Sequence, residues 1–155
     1  MRPQPLDQIE SLCLVSHLAD TSYLLALAEG IVLSNYQFLT YKSDKKKNTL
    51  KQISIDDSKI KPAELSELND VLMGTFITRT LVNEPVITLT AERLSTEIKN
   101  LGKIAGFKVK VLNKKEIIKE KMGGLLAVNL GSQLPPTFNI MEHKPKNAKN
   151  KKPYV

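Results

Sequence analysis

Helix and strand patterns alternate along the second half of this sequence, and that alternation constrains its fold more than any other feature. After Pro62, leucines recur at three- and four-residue steps, which is the spacing of one helix face. A second helical pattern follows Thr90. Residues 107–112 then alternate apolar side chains with lysines, which is the pattern of a strand with one solvent-exposed face. A short helix and a strand over 137–143 follow. We predict an α/β fold whose strands pair in parallel through helical crossovers.

The first half of the chain carries one further helix pattern and a short strand pattern. Residues 20–38 predict a helix with Asp20 or Thr21 at its N-cap. Gly30 inside it costs roughly 1 kcal/mol relative to alanine, which predicts that another backbone packs closely there. Residues 49–55 alternate imperfectly and predict a strand. The side chains expected on the buried face of the helix are Leu24, Leu27, Ala28 and Ile31.

Local signals mark the ends of the later helices. Thr90 has the side chain of an N-cap, and Gly106 is a C-terminal stop for the helix between them. Asn113 followed by Glu116 resembles a capping box that opens another helix. The apolar run at 125–128 predicts buried structure.

The net charge of +7 is concentrated in two segments. Lys45, Lys46 and Lys47 form one basic loop, and five lysines over 144–152 form the other. Removing these eight charges from +7 leaves −1, so the rest of the chain is electrostatically ordinary. Neither run contains an aromatic side chain to stack on bases, which does not favour nucleic acid. A small non-catalytic protein that uses the lysine tail on nucleic acid or an acidic partner remains the alternative reading.

No catalytic constellation is visible in the sequence. Cys13 lies in an apolar stretch and is expected to be a buried core residue. His17 and His143 have no second ligand at metal-binding spacing, which favours structural or surface roles. The neighbours Asp56 and Asp57 point in opposite directions on an extended chain, so a turn or cap role is expected. We therefore assign no catalytic, metal-binding or substrate-binding residue.

Two stretches together resemble one family. "LAEGIVLSNYQFLTYKSDKKK" at 27–47 is similar to a segment of leucyl (cytosol) aminopeptidases in which a helix with A-E-G precedes a Y-x-F-x-x-Y-K pattern. "TRTLVNEPVITLTAERL" at 78–94 resembles their R-x-L-V-N-x-P-x-x-x-L-T-P pattern, with Ala91 where proline is common. "MGGLLAVNLGSQLPPTFNIMEHKP" then follows in the order of the family. The resemblance extends from about residue 24 to Val155.

The resemblance implies a two-metal exopeptidase that removes N-terminal residues from peptides. Two divalent ions, zinc or manganese, polarise the scissile carbonyl and activate water in such enzymes, and a lysine and an arginine assist. The site motifs of the family are V-G-K-G-x-x-x-D-[ST]-G-G, K-x-D-M and N-T-D-A-E-G-R-L, and none occurs in these 155 residues. We therefore expect that this chain binds no metal and is inactive alone. The complete protein is expected to be a cytoplasmic homohexamer acting on peptides.

The same resemblance implies a domain plan. Residues 1–48 are expected to form the end of an N-terminal α/β domain, and 49–84 a connecting strand and helix. Residues 85–155 would begin an α/β/α catalytic domain, so the chain corresponds to a fragment. No apolar run approaches the roughly 20 residues of a membrane span. Because the sheet would be unfinished, we expect the isolated chain to be poorly soluble or oligomeric.

Overall fold

The computed structural model describes residues 9–15, 20–150 and 152–155. The chain divides into two compact units, residues 1–83 and 84–155. Both units combine helices with a two-stranded sheet, which confirms the predicted α/β class. Among the helices described, none has the length and apolarity that crossing a bilayer requires.

The first unit contains a parallel pair of strands joined through a helix. Strand β1 (Ser11–Val15) pairs with β2 (Gln52–Asp56), and helix α1 (Ser22–Ser34) lies between them in sequence. The strand predicted over 49–55 is confirmed as β2. Strand β1 was not predicted, because the short run SLCLV is apolar at four of its five positions and shows no clear alternation. The expectation for Cys13 was wrong, since the pleat turns its side chain outward and leaves it exposed.

Helix α1 begins with a hydrogen bond from the residue before its N-cap. The backbone N–H of Ser22 donates to Asp20 Oδ1 at 2.9 Å, and this bond lowers the pKa of Asp20. Thr21 occupies the N-cap position without a side-chain hydrogen bond. Leu24 and Ala28 are buried as predicted, whereas Leu27 is 53% exposed.

The predicted close approach at Gly30 is wrong. A Cβ atom built at Gly30 meets nothing within 4 Å. The position is exposed, and its glycine therefore has no packing role in this unit.

Tyr36 fixes the end of α1 to helix α2 (Pro62–Asn83). Its hydroxyl lies 3.1 Å from Thr80 Oγ1, and its ring centroid lies 5.4 Å from that of Phe76. Arg79 Nη1 donates to the Leu33 carbonyl at 2.8 Å, which places a cation on the carbonyl end of α1. These contacts hold together two helices that, among the described residues, contribute the buried side chains Leu24, Ala28 and Leu72.

The second unit contains three helices and an antiparallel pair of strands. Thr90 Oγ1 accepts from the Arg93 N–H at 3.3 Å, and Gly106 ends the first helix at φ 74°, both as predicted. The capping box of Asn113 and Glu116 is also confirmed. The elements are α3 (Ala91–Ala105), β3 (Lys108–Leu112), α4 (Lys114–Lys119), α5 (Gly123–Asn129) and β4 (Phe138–Glu142).

Strands β3 and β4 run antiparallel, which corrects the predicted parallel pairing. Leu112, at the end of β3, lies opposite Phe138, at the start of β4. A parallel crossover would carry the chain back to the other end of the sheet. Here the connection, which contains the short helices α4 and α5, leaves and re-enters the sheet at the same end. It therefore acts as a long hairpin loop.

The core of the second unit lies where α3 and α4 meet β3. Leu112 is 5% exposed and Ile117 is fully buried. Gly102 lets α3 approach the strand, since a Cβ there would lie 2.7 Å from Val109 Cγ2. The prediction of buried structure at 125–128 was wrong, because this run lies in helix α5, in which no residue is buried, and Val128 is 83% exposed.

Candidate functional site

An apolar cleft of about 350 Å³ is the candidate site in the second unit. It lies between the turn that precedes α3, one side of α5 and the turn that leads into β4. Six apolar side chains that line it are Val86, Leu89, Leu125, Val128, Leu134 and Pro136. Such a surface binds apolar groups by burial and has few groups that could orient a polar substrate.

The polar groups on one wall of this cleft are engaged in holding the turn at 129–134. Asn129 Nδ2 donates to the Leu134 carbonyl at 3.0 Å. The Leu134 N–H in turn donates to Ser132 Oγ at 3.1 Å. These bonds shape the wall and leave no activated nucleophile in it.

A hydroxyl pair joins the start of α3 to the residue before β4. Ser95 Oγ lies 2.8 Å from Thr137 Oγ1 and donates to it, while Thr137 donates to the Ala91 carbonyl at 3.2 Å. Ser95 is 4% exposed, and its buried hydroxyl also lies 3.0 Å from the Ala91 carbonyl oxygen, so both the helix and Thr137 offer it a partner. No base adjoins either hydroxyl in these bonds, and the pair therefore positions β4 against α3.

A second cavity, of about 630 Å³, lies in the first unit beside the basic loop. Lys46 and Lys47 line it together with the end of α1. Gln37 holds the loop, since its Oε1 accepts from the Asn48 N–H at 2.8 Å and its Nε2 donates to the Lys46 carbonyl at 3.2 Å. These bonds fix the backbone of the basic loop beside the end of α1.

The described residues do not fit a two-metal centre. Over 9–15, 20–150 and 152–155, no three His, Cys, Asp or Glu side chains come together as metal ligands could. Asp57 Oδ1 instead accepts from the Lys59 N–H at 2.9 Å, the turn role predicted for it. His143 is exposed, and His17 lies outside the described residues.

A sequence profile described as "Cytosol aminopeptidase family, catalytic domain" matches residues 76–155. This match covers more than half of the chain. The chain belongs to the cytosol aminopeptidase family. A "Probable cytosol aminopeptidase" from Chlorobium limicola is 42% identical over a 133-residue alignment that covers 77% of this chain and 26% of that protein. One from Chlorobaculum tepidum is 37% identical over a 138-residue alignment that covers 81% of this chain and 27% of that protein.

Solved structures of the aminopeptidase fold are also similar. BotP, a bottromycin maturation enzyme in complex with Mn, matches with a TM-score of 0.77 and 27% identity over 90% of this chain and 30% of its own. Tomato leucine aminopeptidase carrying the substitution K354E matches with a TM-score of 0.81 over 93% of this chain and 31% of its own. At 24% identity the tomato enzyme supports the fold alone. This family member therefore spans about a quarter to a third of the length of these relatives.

The cleft was not predicted from the sequence. Its lining residues fall in the two family-like stretches at 78–94 and 122–145, but neither stretch indicates that its apolar side chains meet those of the other, and the walls come from segments about 40 residues apart. The turn signals at 85–90 and 131–136 were the only local indication that chain reversals meet there.

Proposed function

We propose that this chain supplies the opening part of the catalytic domain of a cytosol aminopeptidase. The profile match of the catalytic domain over 76–155 carries the proposal. In this plan, residues 1–48 end the N-terminal domain, 49–84 connect the domains and 85–155 start the catalytic domain. The division of the chain into compact units at 83/84 is compatible with a boundary there.

The proposed reaction of the complete protein is hydrolysis of N-terminal amino acids from peptides. Two divalent ions, zinc or manganese, would supply Lewis-acid activation, and the manganese in the related BotP structure supports that choice. Because the described residues bring no cluster of metal ligands together, we assign them no metal-binding role. They act as scaffold, and the 155-residue chain alone is inactive. The complete protein is proposed to be a cytoplasmic homohexamer.

A chimera tests this proposal. In it, the segment of the Chlorobium limicola relative that aligns with this chain is replaced by the corresponding residues of this chain. We expect the chimera to hydrolyse leucine p-nitroanilide in a Mn²⁺-dependent manner, because the scaffold fits the remainder of the relative. We expect this chain alone to hydrolyse the substrate no faster than buffer without protein does.

The unmodified relative is the matched control, and circular dichroism reports whether the chimera folds. A folded but inactive chimera would contradict the assignment of this segment to the catalytic scaffold. Hydrolysis by the isolated chain would contradict its role as scaffold alone.

A further inference from the structure

The cavity beside the basic loop lies in the first unit, and its lining residues precede the segment 76–155 that the aminopeptidase profile matches. Its volume of about 630 Å³ is within the roughly 300–1,000 Å³ of small-molecule sites in proteins. The walls come from β1 and the residue Ile9 before it, the end of α1, and the segment that precedes β2. Four aliphatic side chains line the cavity, and each is half-buried: Ile9, Leu12, Ile31 and Leu50.

Polar side chains of this cavity are used in holding its own walls together. Asn35 Nδ2 donates to the Leu50 carbonyl at 3.0 Å, and Asn48 Nδ2 donates to the Asn35 carbonyl at 3.1 Å. Thr49 Oγ1 donates to the Ile9 carbonyl at 2.8 Å. A polar group that loses water without gaining a new partner costs free energy. The cavity therefore suits an aliphatic body better than a peptide, whose amide groups would find these donors already engaged.

The border of the cavity is positively charged. Residues 42–47 contain four lysines and one aspartate, which gives this segment a net charge of +3. Lys47 lines the cavity and makes no ion pair with any residue that the structure describes. Glu10, the acid next to Ile9, is already paired with Lys51 at 3.1 Å. The local field at this border therefore favours an anion.

The carbonyl end of α1 also borders the cavity and by itself would favour a cation. Arg79 already places a cation at this helix end, since its Nη1 donates to the Leu33 carbonyl at 2.8 Å. The partial negative charge of the helix end is thereby offset, and the lysines determine the sign of the field.

We propose that this cavity binds an aliphatic monocarboxylate, with its hydrocarbon chain against the four aliphatic side chains and its carboxylate at Lys47. A hydrocarbon chain needs no hydrogen bond from the lining, and a carboxylate pairs with an ammonium group where the cavity meets solvent. The cleft of the second unit offers an internal comparison, because it is apolar as well but no charged side chain lines it. The proposal does not depend on the peptidase function, since its residues lie outside the matched catalytic segment.

Hydrogen–deuterium exchange of the 155-residue chain at low micromolar concentration tests the proposal, with octanoate as the probe. We expect saturating octanoate to slow amide exchange over 46–50 by more than about threefold, because a bound ligand stabilises the segment that it contacts. Exchange over 125–137, in the uncharged cleft, should change less. Equal slowing of the two segments would show that octanoate adheres to any apolar surface, and would overturn the proposal.

Three further probes separate the contributions of the ligand. Acetate lacks the hydrocarbon chain and octan-1-ol lacks the charge, so each should slow exchange over 46–50 less than octanoate does at the same concentration. Acetyl-leucyl-leucine has the carboxylate and apolar side chains but adds amide groups, and should also be weaker. An equal effect of octan-1-ol would overturn the role of the charge. A stronger effect of acetyl-leucyl-leucine would assign the cavity to a peptide and overturn the proposal.

Lys47→Gln is expected to weaken octanoate binding by about two- to fivefold, which is the range for an exposed ion pair. The dependence of the slowing on octanoate concentration gives the dissociation constant. Lys45→Gln is the matched control, because it removes the same charge from the same loop at a residue that does not line the cavity. Its effect should be smaller. Equal losses for the two variants, or no loss for Lys47→Gln, would overturn the placement of the carboxylate.

Ile31→Phe tests the hydrocarbon part of the site. The larger ring takes up part of the cavity, and we expect octanoate binding to weaken by about tenfold or more. Circular dichroism reports whether this variant folds, and the exposed Lys47→Gln provides the test if it does not. Unchanged octanoate binding by folded Ile31→Phe would show that the chain lies elsewhere and would overturn the proposal.

Discussion

Replacing Ile117 by alanine is expected to lower the free energy of unfolding of the second unit by about 2–4 kcal/mol. Ile117 is fully buried and is the largest side chain described as such in the chain. Its removal loses the transfer free energy of three carbon atoms and leaves a cavity between α4 and its neighbours. Urea denaturation followed by circular dichroism measures the change.

Ile118→Ala is the matched control for this substitution. Ile118 is the next residue of the same short helix and is 53% exposed. Its truncation should cost less than about 1 kcal/mol, because much of the side chain is already in water. Equal losses for the two variants would contradict the burial pattern of α4.

Gly102→Ala is expected to destabilise the second unit by about 1–2 kcal/mol, although alanine is the better helix former. The added methyl would lie 2.7 Å from Val109 Cγ2 and 2.8 Å from the Phe107 carbonyl oxygen. The N–H of Phe107 donates to the Gly102 carbonyl at 3.1 Å, which ties Phe107 to the end of α3 where the methyl would be added. The clash therefore exceeds the gain of roughly 1 kcal/mol in helix propensity.

Gly74→Ala supplies the control for helix propensity alone. A Cβ at Gly74 meets nothing within 4 Å, so this variant should stabilise the chain by about 0.5–1 kcal/mol. Thermal unfolding should therefore shift in opposite directions for the two glycine variants. Stabilisation by Gly102→Ala would show that α3 and β3 are not in close contact at this position.

Features with local causes were predictable from the sequence. The cap at Thr90, the stop at Gly106 and the capping box at Asn113 each depend on side chains within three or four residues of the helix end. The outward lysines of β3 were predictable for a similar reason, because alternation is a property of the strand itself.

Features that depend on how separate elements pack against each other were not predictable. Glycine spacing alone could not show that Gly102 and not Gly30 meets another segment, because the neighbour of Gly102 is a strand that follows the helix. The direction of β4 depends on how two short helices fold back between the strands, and no local pattern encodes it. The candidate cleft was missed for the same reason, since its lining residues are ordinary until the chain brings them together.

We propose that these 155 residues provide the scaffold of an aminopeptidase domain while the metal ligands lie outside the described residues. Isothermal titration of Mn²⁺ into the isolated chain and into the chimera tests it most directly. We expect saturable binding by the chimera and none by the isolated chain, because its described carboxylates and histidines do not cluster. Stoichiometric, saturable Mn²⁺ binding by the isolated chain would contradict the claim.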